Sequence, residues 1–112
     1  MRLKKIIVVL LLLGTSNFTF AQLDENIKAK LYFAEAQKNY NQGDFDTSLN
    51  YLTKAENTLG RTVARILALK VKIYYAKGSF IEAKKHIDNY TANYMQNASQ
   101  EINDEVLALY IN

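Results

Sequence analysis

The sequence predicts an all-α fold in which antiparallel helix pairs stack as a short α-solenoid, about five helices in all. Three observations carry this. Apolar residues recur at three- and four-residue spacing through the body of the chain, the period of an amphipathic helix. The interruptions are short and centre on single glycines, Gly43, Gly60 and Gly78. The 112 residues include no proline, which suits helices joined by tight turns.

The first segment is not part of that fold. Arg2, Lys4 and Lys5 precede an unbroken apolar run from Ile6 to Leu13, then Gly14 and the polar group Thr15, Ser16 and Asn17. Thr19 and Ala21 stand three and one residues before a cut ahead of Gln22. A charged start, an apolar stretch and a small-residue cleavage site are the layout of a secretory signal peptide. A spanning helix needs about 20 apolar residues, far more than this run. Residues 1–21 are therefore expected to be a bacterial-type signal peptide, and residues 22–112 a periplasmic or secreted domain without a stable membrane anchor.

The body divides at its glycines. Ile27, Leu31, Ala34, Ala36 and Tyr40 predict a first helix, stopped by Asn41, Gln42 and a left-handed Gly43. Asp44 is a good N-cap for a second, with Phe45, Leu49, Leu52, Ala55 and Leu59 facing inward and Gly60 as its stop. Val63, Ile66, Leu67, Val71, Tyr74 and Tyr75 predict a third, ended by Lys77 and Gly78. Ser79 with Glu82 has the spacing of a capping box and opens a fourth through Phe80, Ala83, Ile87 and Tyr90. Asn89 to Ser99 is polar enough for a loop, and Ile102, Val106, Leu109 and Tyr110 begin a fifth.

Composition removes several function classes. No cysteine means no disulfide, thiol catalysis or cysteine metal site. Three of the 14 Lys and Arg lie within residues 1–21 and none of the 11 Asp and Glu does, leaving 11 of each in the domain. The basic balance of the whole chain thus belongs to the signal segment and marks no nucleic-acid partner. Charge is nevertheless uneven. Residues 61–86 carry Arg61, Arg65, Lys70, Lys72, Lys77, Lys84 and Lys85 against Glu82, whereas 87–112 carry Asp88, Glu101, Asp104 and Glu105 with no Lys or Arg.

The helix pairs repeat. Gly43, Asp44 and Phe45 recur as Gly78, Ser79 and Phe80, 35 residues on. At that offset Ala36 falls on Val71, Tyr40 on Tyr75, Ser48 on Ala83 and Leu52 on Ile87. The stretch from Ala36 through Tyr40, Gly43 and Phe45 to Ser48 resembles the turn region of a tetratricopeptide repeat. That family has a period of about 34 residues. Small residues at Ala36 and Ser48 let paired helices approach, and Phe45 or Phe80 plugs the turn. The resemblance implies units at about 29–60 and 64–95 with a partial third at 99–112. The sequence departs from the family pattern at Glu35 and Lys70, where Leu is usual, at Asn39, where Tyr is usual, and in having no proline after either unit. Continued at 35 residues, Ile102, Val106, Leu109 and Tyr110 fall on Leu67, Val71, Tyr74 and Tyr75. The next turn glycine would then fall at position 113, so the array is expected to continue beyond Asn112, with Leu107 and Ile111 left for self-association.

Catalytic chemistry has no foothold. His86 is the sole histidine and lacks neighbours with metal-ligand spacing. Asp44 and Asp46 flank a turn, where capping accounts for them. Ser48 and Ser79 have no histidine base in reach. The sequence gives no catalytic, cofactor-binding or metal site. What remains comes from the resemblance, which implies partner binding on the concave face made by the first helix of each pair. The matching positions are Lys30, Phe33, Gln37 and Tyr40, then Arg65, Lys72 and Tyr75. Lysine and arginine beside tyrosine suit an acidic or C-terminal carboxylate segment. The expected function is an exported protein-interaction module without catalytic activity. Its alternatives are an N-terminal accessory region of a longer exported protein, enzymes included, and a self-associating structural module.

Overall fold

The two matching turns are built alike down to their hydrogen bonds. In the computed structural model, which describes residues 25–111, Gly43 and Gly78 take φ of 80° and 77°, the left-handed region that suits glycine. The amides of Gly43 and Asp44 donate to Tyr40 O and Asn39 O at 3.0 and 2.8 Å, and those of Gly78 and Ser79 to Tyr75 O and Tyr74 O at 3.0 and 2.9 Å. Each pair of bonds satisfies the last carbonyls of one helix while reversing the chain. The elements are α1 over residues 25–41, α2 Phe45–Leu59, α3 Ala64–Ala76, α4 Phe80–Asn93 and α5 Gln100–Ile111, with a 3-10 turn at Met95–Asn97 before the last. No strand occurs among the described residues. The described residues form an all-helical fold. The expected signal segment and its expected cleavage site lie outside the described residues, as do the side chains of Tyr110 and Ile111.

Capping follows local chemistry. Asp44 accepts from the Thr47 amide at 3.4 Å and holds the start of α2. Ser79 makes no such bond, so the expected capping box with Glu82 does not form. The Ser79 amide already donates to Tyr74 O, which leaves Glu82 no donor to return to. Gly60 closes α2 with φ 73° and donates to Glu56 O.

The first pair is joined where its residues are smallest. Ala36 and Ser48 are wholly buried, and the Ser48 hydroxyl donates to Ala36 O at 2.6 Å. A bond from one helix to the other's backbone requires the two axes to lie close. In the second pair the equivalent positions, Val71 and Ala83, are buried too.

Helix α3 is the centre of the molecule. Ile66, Leu69 and Ile73 pack with Ala36, Leu52 and Ala55 in one cluster. Leu67, Ala68 and Val71 pack with Ile87, Tyr90 and Val106 in the other. A helix covered on two sides loses a clean amphipathic stripe, which is why the sequence identifies only part of its core and misses Ala68, Leu69 and Ile73.

Four expectations need correction. In α1, Ile27 and Leu31 are 51% and 61% exposed and Ala34 is exposed, while Ala29 and Ala36 are buried and Tyr32, Phe33 and Tyr40 pack inward. Two apolar stripes share that helix, and periodicity cannot say which has a neighbour. Phe80 does not plug its turn but stands 61% exposed, edge-on to Tyr75 at 5.5 Å. The segment placed in a loop from Asn89 is helical to Asn93, because Tyr90 is fully buried and anchors that last turn. Finally, α5 does not continue the 35-residue register. The starts of α3 and α5, Ala64 and Gln100, are 36 residues apart. The extra residue lies in the connection that holds the 3-10 turn. It rotates α5 so that Ile102, Val106 and Leu109 pack back onto α3 and α4. The repeat frame for α5 is therefore Ile66 to Ile102 and Ile73 to Leu109.

Candidate functional site

The first helices of the pairs, α1, α3 and α5, border a shallow trough. Its narrow part, about 190 Å³, is lined by Phe33 and Gln37 of α1, Arg65, Ala68, Leu69 and Lys72 of α3, and Glu101, Ile102 and Glu105 of α5. Its wide part, about 740 Å³, lies between Asn26, Ala29, Lys30 and Phe33 of α1, Leu59 of α2, and Val63, Arg65 and Ile66 of α3. Phe33 and Arg65 line both parts. The small side chains of Ala68 in the narrow part and Ala29 in the wide part leave room in its walls.

The seven positions named from the sequence divide as follows. Lys30 borders the wide part, Gln37 the narrow part, and Phe33 and Arg65 sit where they meet. The Arg65 guanidinium lies over the Phe33 ring at 5.9 Å, within the range of a cation–π contact. Lys72 borders the narrow part, and its Nζ lies 5.7 Å from the Tyr40 ring. Gln37 donates to Asn41 Oδ1 at 3.2 Å. Tyr75 lines neither part and belongs instead to the α3–α4 turn, against Phe80.

Helix α5 brings residues that the sequence did not place here. Glu105 Oε2 lies 3.3 Å from Lys72 Nζ, so Lys72 is already engaged by a carboxylate of its own chain. Glu101 stands at the α5 position that corresponds to Arg65 once the 36-residue step is used. The signal for these acids was present in the lysine-free stretch 87–112. The 35-residue register placed it on the wrong face. The trough is thus charged asymmetrically, basic with aromatic rings along α1 and α3, acidic along α5.

The molecule's other polar cluster lies on α3 and α4 away from the trough. The His86 ring stacks on Tyr74 with centroids 5.1 Å apart and planes 11° off parallel. Burial lowers the His86 pKa below its ordinary 6.5, Lys70 and Lys85 lower it further, and Glu82 and Glu56 oppose them. Lys70 itself pairs with Glu56 at 2.6 Å. Burial, reinforced by Glu105, pushes the Tyr90 phenol up from its ordinary value. Among the described residues no three His, Asp or Glu side chains gather as a metal ion would require, and no helix among them is long and apolar enough to cross a membrane.

No family model, curated protein or solved structure matches the chain. The site therefore rests on its own geometry.

Proposed function

We propose that the protein is an exported, tetratricopeptide-like interaction module that binds a polypeptide segment in the trough across α1, α3 and α5 and performs no catalysis. The observation that carries this reading is the meeting of the two parts of the trough at Phe33 and Arg65. An apolar recess with a few convergent polar groups is what a binding site needs. Here the recess opens along successive helices, as an extended chain requires.

The charge pattern narrows the ligand. Lys72 is held by Glu105, so the acidic group of a partner is recognised at Lys30 and Arg65. The wide part beside them, with Ala29, Leu59, Val63 and Ile66 in its walls, takes an adjoining apolar side chain. The segment is then acidic with a neighbouring apolar residue, and a C-terminal carboxylate is one form of it. The signal-type start is what export to an envelope or secreted compartment requires, and N-terminal sequencing of the exported product is expected to begin at Gln22.

The test compares the native protein with the Lys30→Glu, Arg65→Glu double variant as bait for envelope-fraction proteins. Both side chains are exposed, and surface changes usually alter stability by about half a kcal/mol or less. Helicity is therefore retained, and recovery of the bound polypeptide falls about tenfold or more, equivalent to about 1.4 kcal/mol. Equal recovery by both baits contradicts the proposal.

A further inference from the structure

Both internal joints between successive repeats use the same two faces of the first helix. On α3, Ile66, Leu69 and Ile73 pack back onto the first pair, and Ala64, Ala68 and Val71 receive the next helix with its Ile102, Val106 and Leu109. Stepping back 35 residues from the first set gives Leu31, Ala34 and Lys38 on α1. Ile27 lies one turn before them on the same side. Stepping forward 36 residues from the second set gives Gln100, Asp104 and Leu107 on α5. Ile27 and Leu31 are 51% and 61% exposed. Ala34, Lys38, Gln100 and Asp104 are exposed, and Leu107 is half-buried. The two outer faces are therefore the two halves of a joint that the molecule closes internally.

The charges on those faces complement one another. Lys38 stands where α3 has the buried Ile73, and Asp104 stands where α3 has the buried Ala68. On the joint faces themselves the charged residues are Lys38 on α1 and Asp104 on α5, both exposed. Two copies joined by α1 against α1 would oppose Lys38 with Lys38, and by α5 against α5 Asp104 with Asp104. The opposite ends attract.

We infer that the protein assembles head to tail with copies of itself, the Ile27, Leu31 and Ala34 stripe of α1 seating on the Asp104 and Leu107 face of α5 in the next copy. The joint extends the internal repeat rather than creating a new kind of contact. Such a heterologous contact uses different surfaces on the two partners and does not close on itself. The product is a chain of modules whose troughs run on from one copy to the next. This is independent of the peptide-binding reading, because neither face includes Arg65 and the Lys30, Arg65 variant leaves the assembly in place.

Sedimentation velocity of the purified protein across a concentration series tests it. The native mass rises with concentration past that of a dimer. Leu31→Glu blocks one end and Leu107→Glu the other, and each variant alone is monomeric. Mixed in equal amounts, they form a one-to-one dimer, since one variant keeps a sound α1 face and the other a sound α5 face. Should Leu107→Glu lose helicity, the exposed Asp104→Lys replaces it: alone it weakens association, and Lys38→Glu in the same chain restores it. A native protein that stays monomeric to about millimolar concentration overturns the inference. So does a Leu107→Glu variant that still dimerises, which would mean α1 pairs with α1. Association untouched by every variant overturns it equally.

Discussion

Ser48 is the one polar residue fully buried among the described residues, and its hydroxyl bridges α2 to the α1 backbone at Ala36. Ser48→Ala removes the bond but leaves the close approach intact. A loss of about 1 kcal/mol by urea titration is expected, the ordinary net worth of one hydrogen bond. Ala36→Leu instead forces the helices apart, costs about 1–3 kcal/mol as overpacking does, and lowers stability more than the serine change. His86 gives a pH signature because it is the only histidine. Its folded pKa is depressed, so the unfolded chain takes up its proton first as pH falls. The associated stability is present above pH 6.5, the ordinary value, and is lost as pH drops through the lower folded value. His86→Phe keeps the stack on Tyr74. Denaturation midpoints between pH 7 and 5.5 should therefore fall less steeply for that variant than for the native protein.

At the scale of elements, the decisive feature is the connection from α4 to α5. Tyr90 OH donates to Asn103 Oδ1 at 2.7 Å, and Asn103 Nδ2 donates to Met95 O at 3.1 Å. One asparagine thus ties the end of α4, the 3-10 turn and the first turn of α5 together, and it fixes the step at 36 residues. Asn103→Leu strands the Tyr90 hydroxyl and the Met95 carbonyl, and an orphaned buried group costs about 1–3 kcal/mol. Amide exchange over α5 is expected to quicken while α1 and α2 keep their protection. The same connection shows where the sequence stops being legible. Matching glycine turns announce α1 to α4, because the positive φ at Gly43 and Gly78 admits few other residues. The α4–α5 connection has no glycine, and its register depends on a side-chain bond between residues 13 apart in the chain. Nothing in the apolar spacing encodes that bond. The exposed stripe of Ile27 and Leu31 was hidden for a related reason. It has the composition of a core face, and only the arrangement of neighbours shows it to be outside.

For the whole molecule, the same one-residue step changes what the trough presents. Lys30, Phe33, Gln37 and Arg65 follow from the resemblance because they lie on α1 and α3, the helices that the matching glycine turns mark. Glu101 and Glu105 do not, and with them the basic face becomes a two-signed one. Lys72→Glu would set two carboxylates against each other at the α3–α5 joint. It is expected to lower stability as well as binding, a loss that Glu105→Lys in the same chain relieves in thermal unfolding. Arg65→Glu gives up only the contact over the Phe33 ring, so its effect falls mainly on the ligand. The most direct test of the trough uses the absence of cysteine from the sequence. A photo-crosslinker is attached to Gln37→Cys in the trough, and to Ile81→Cys on α4, where the native side chain is 86% exposed. After irradiation in envelope extract, the label at position 37 should join a defined polypeptide through an acidic segment. An excess of the unlabelled module should suppress that product, and the label at 81 should not yield it. Equal labelling from both positions, or none from position 37, would contradict a polypeptide-binding trough.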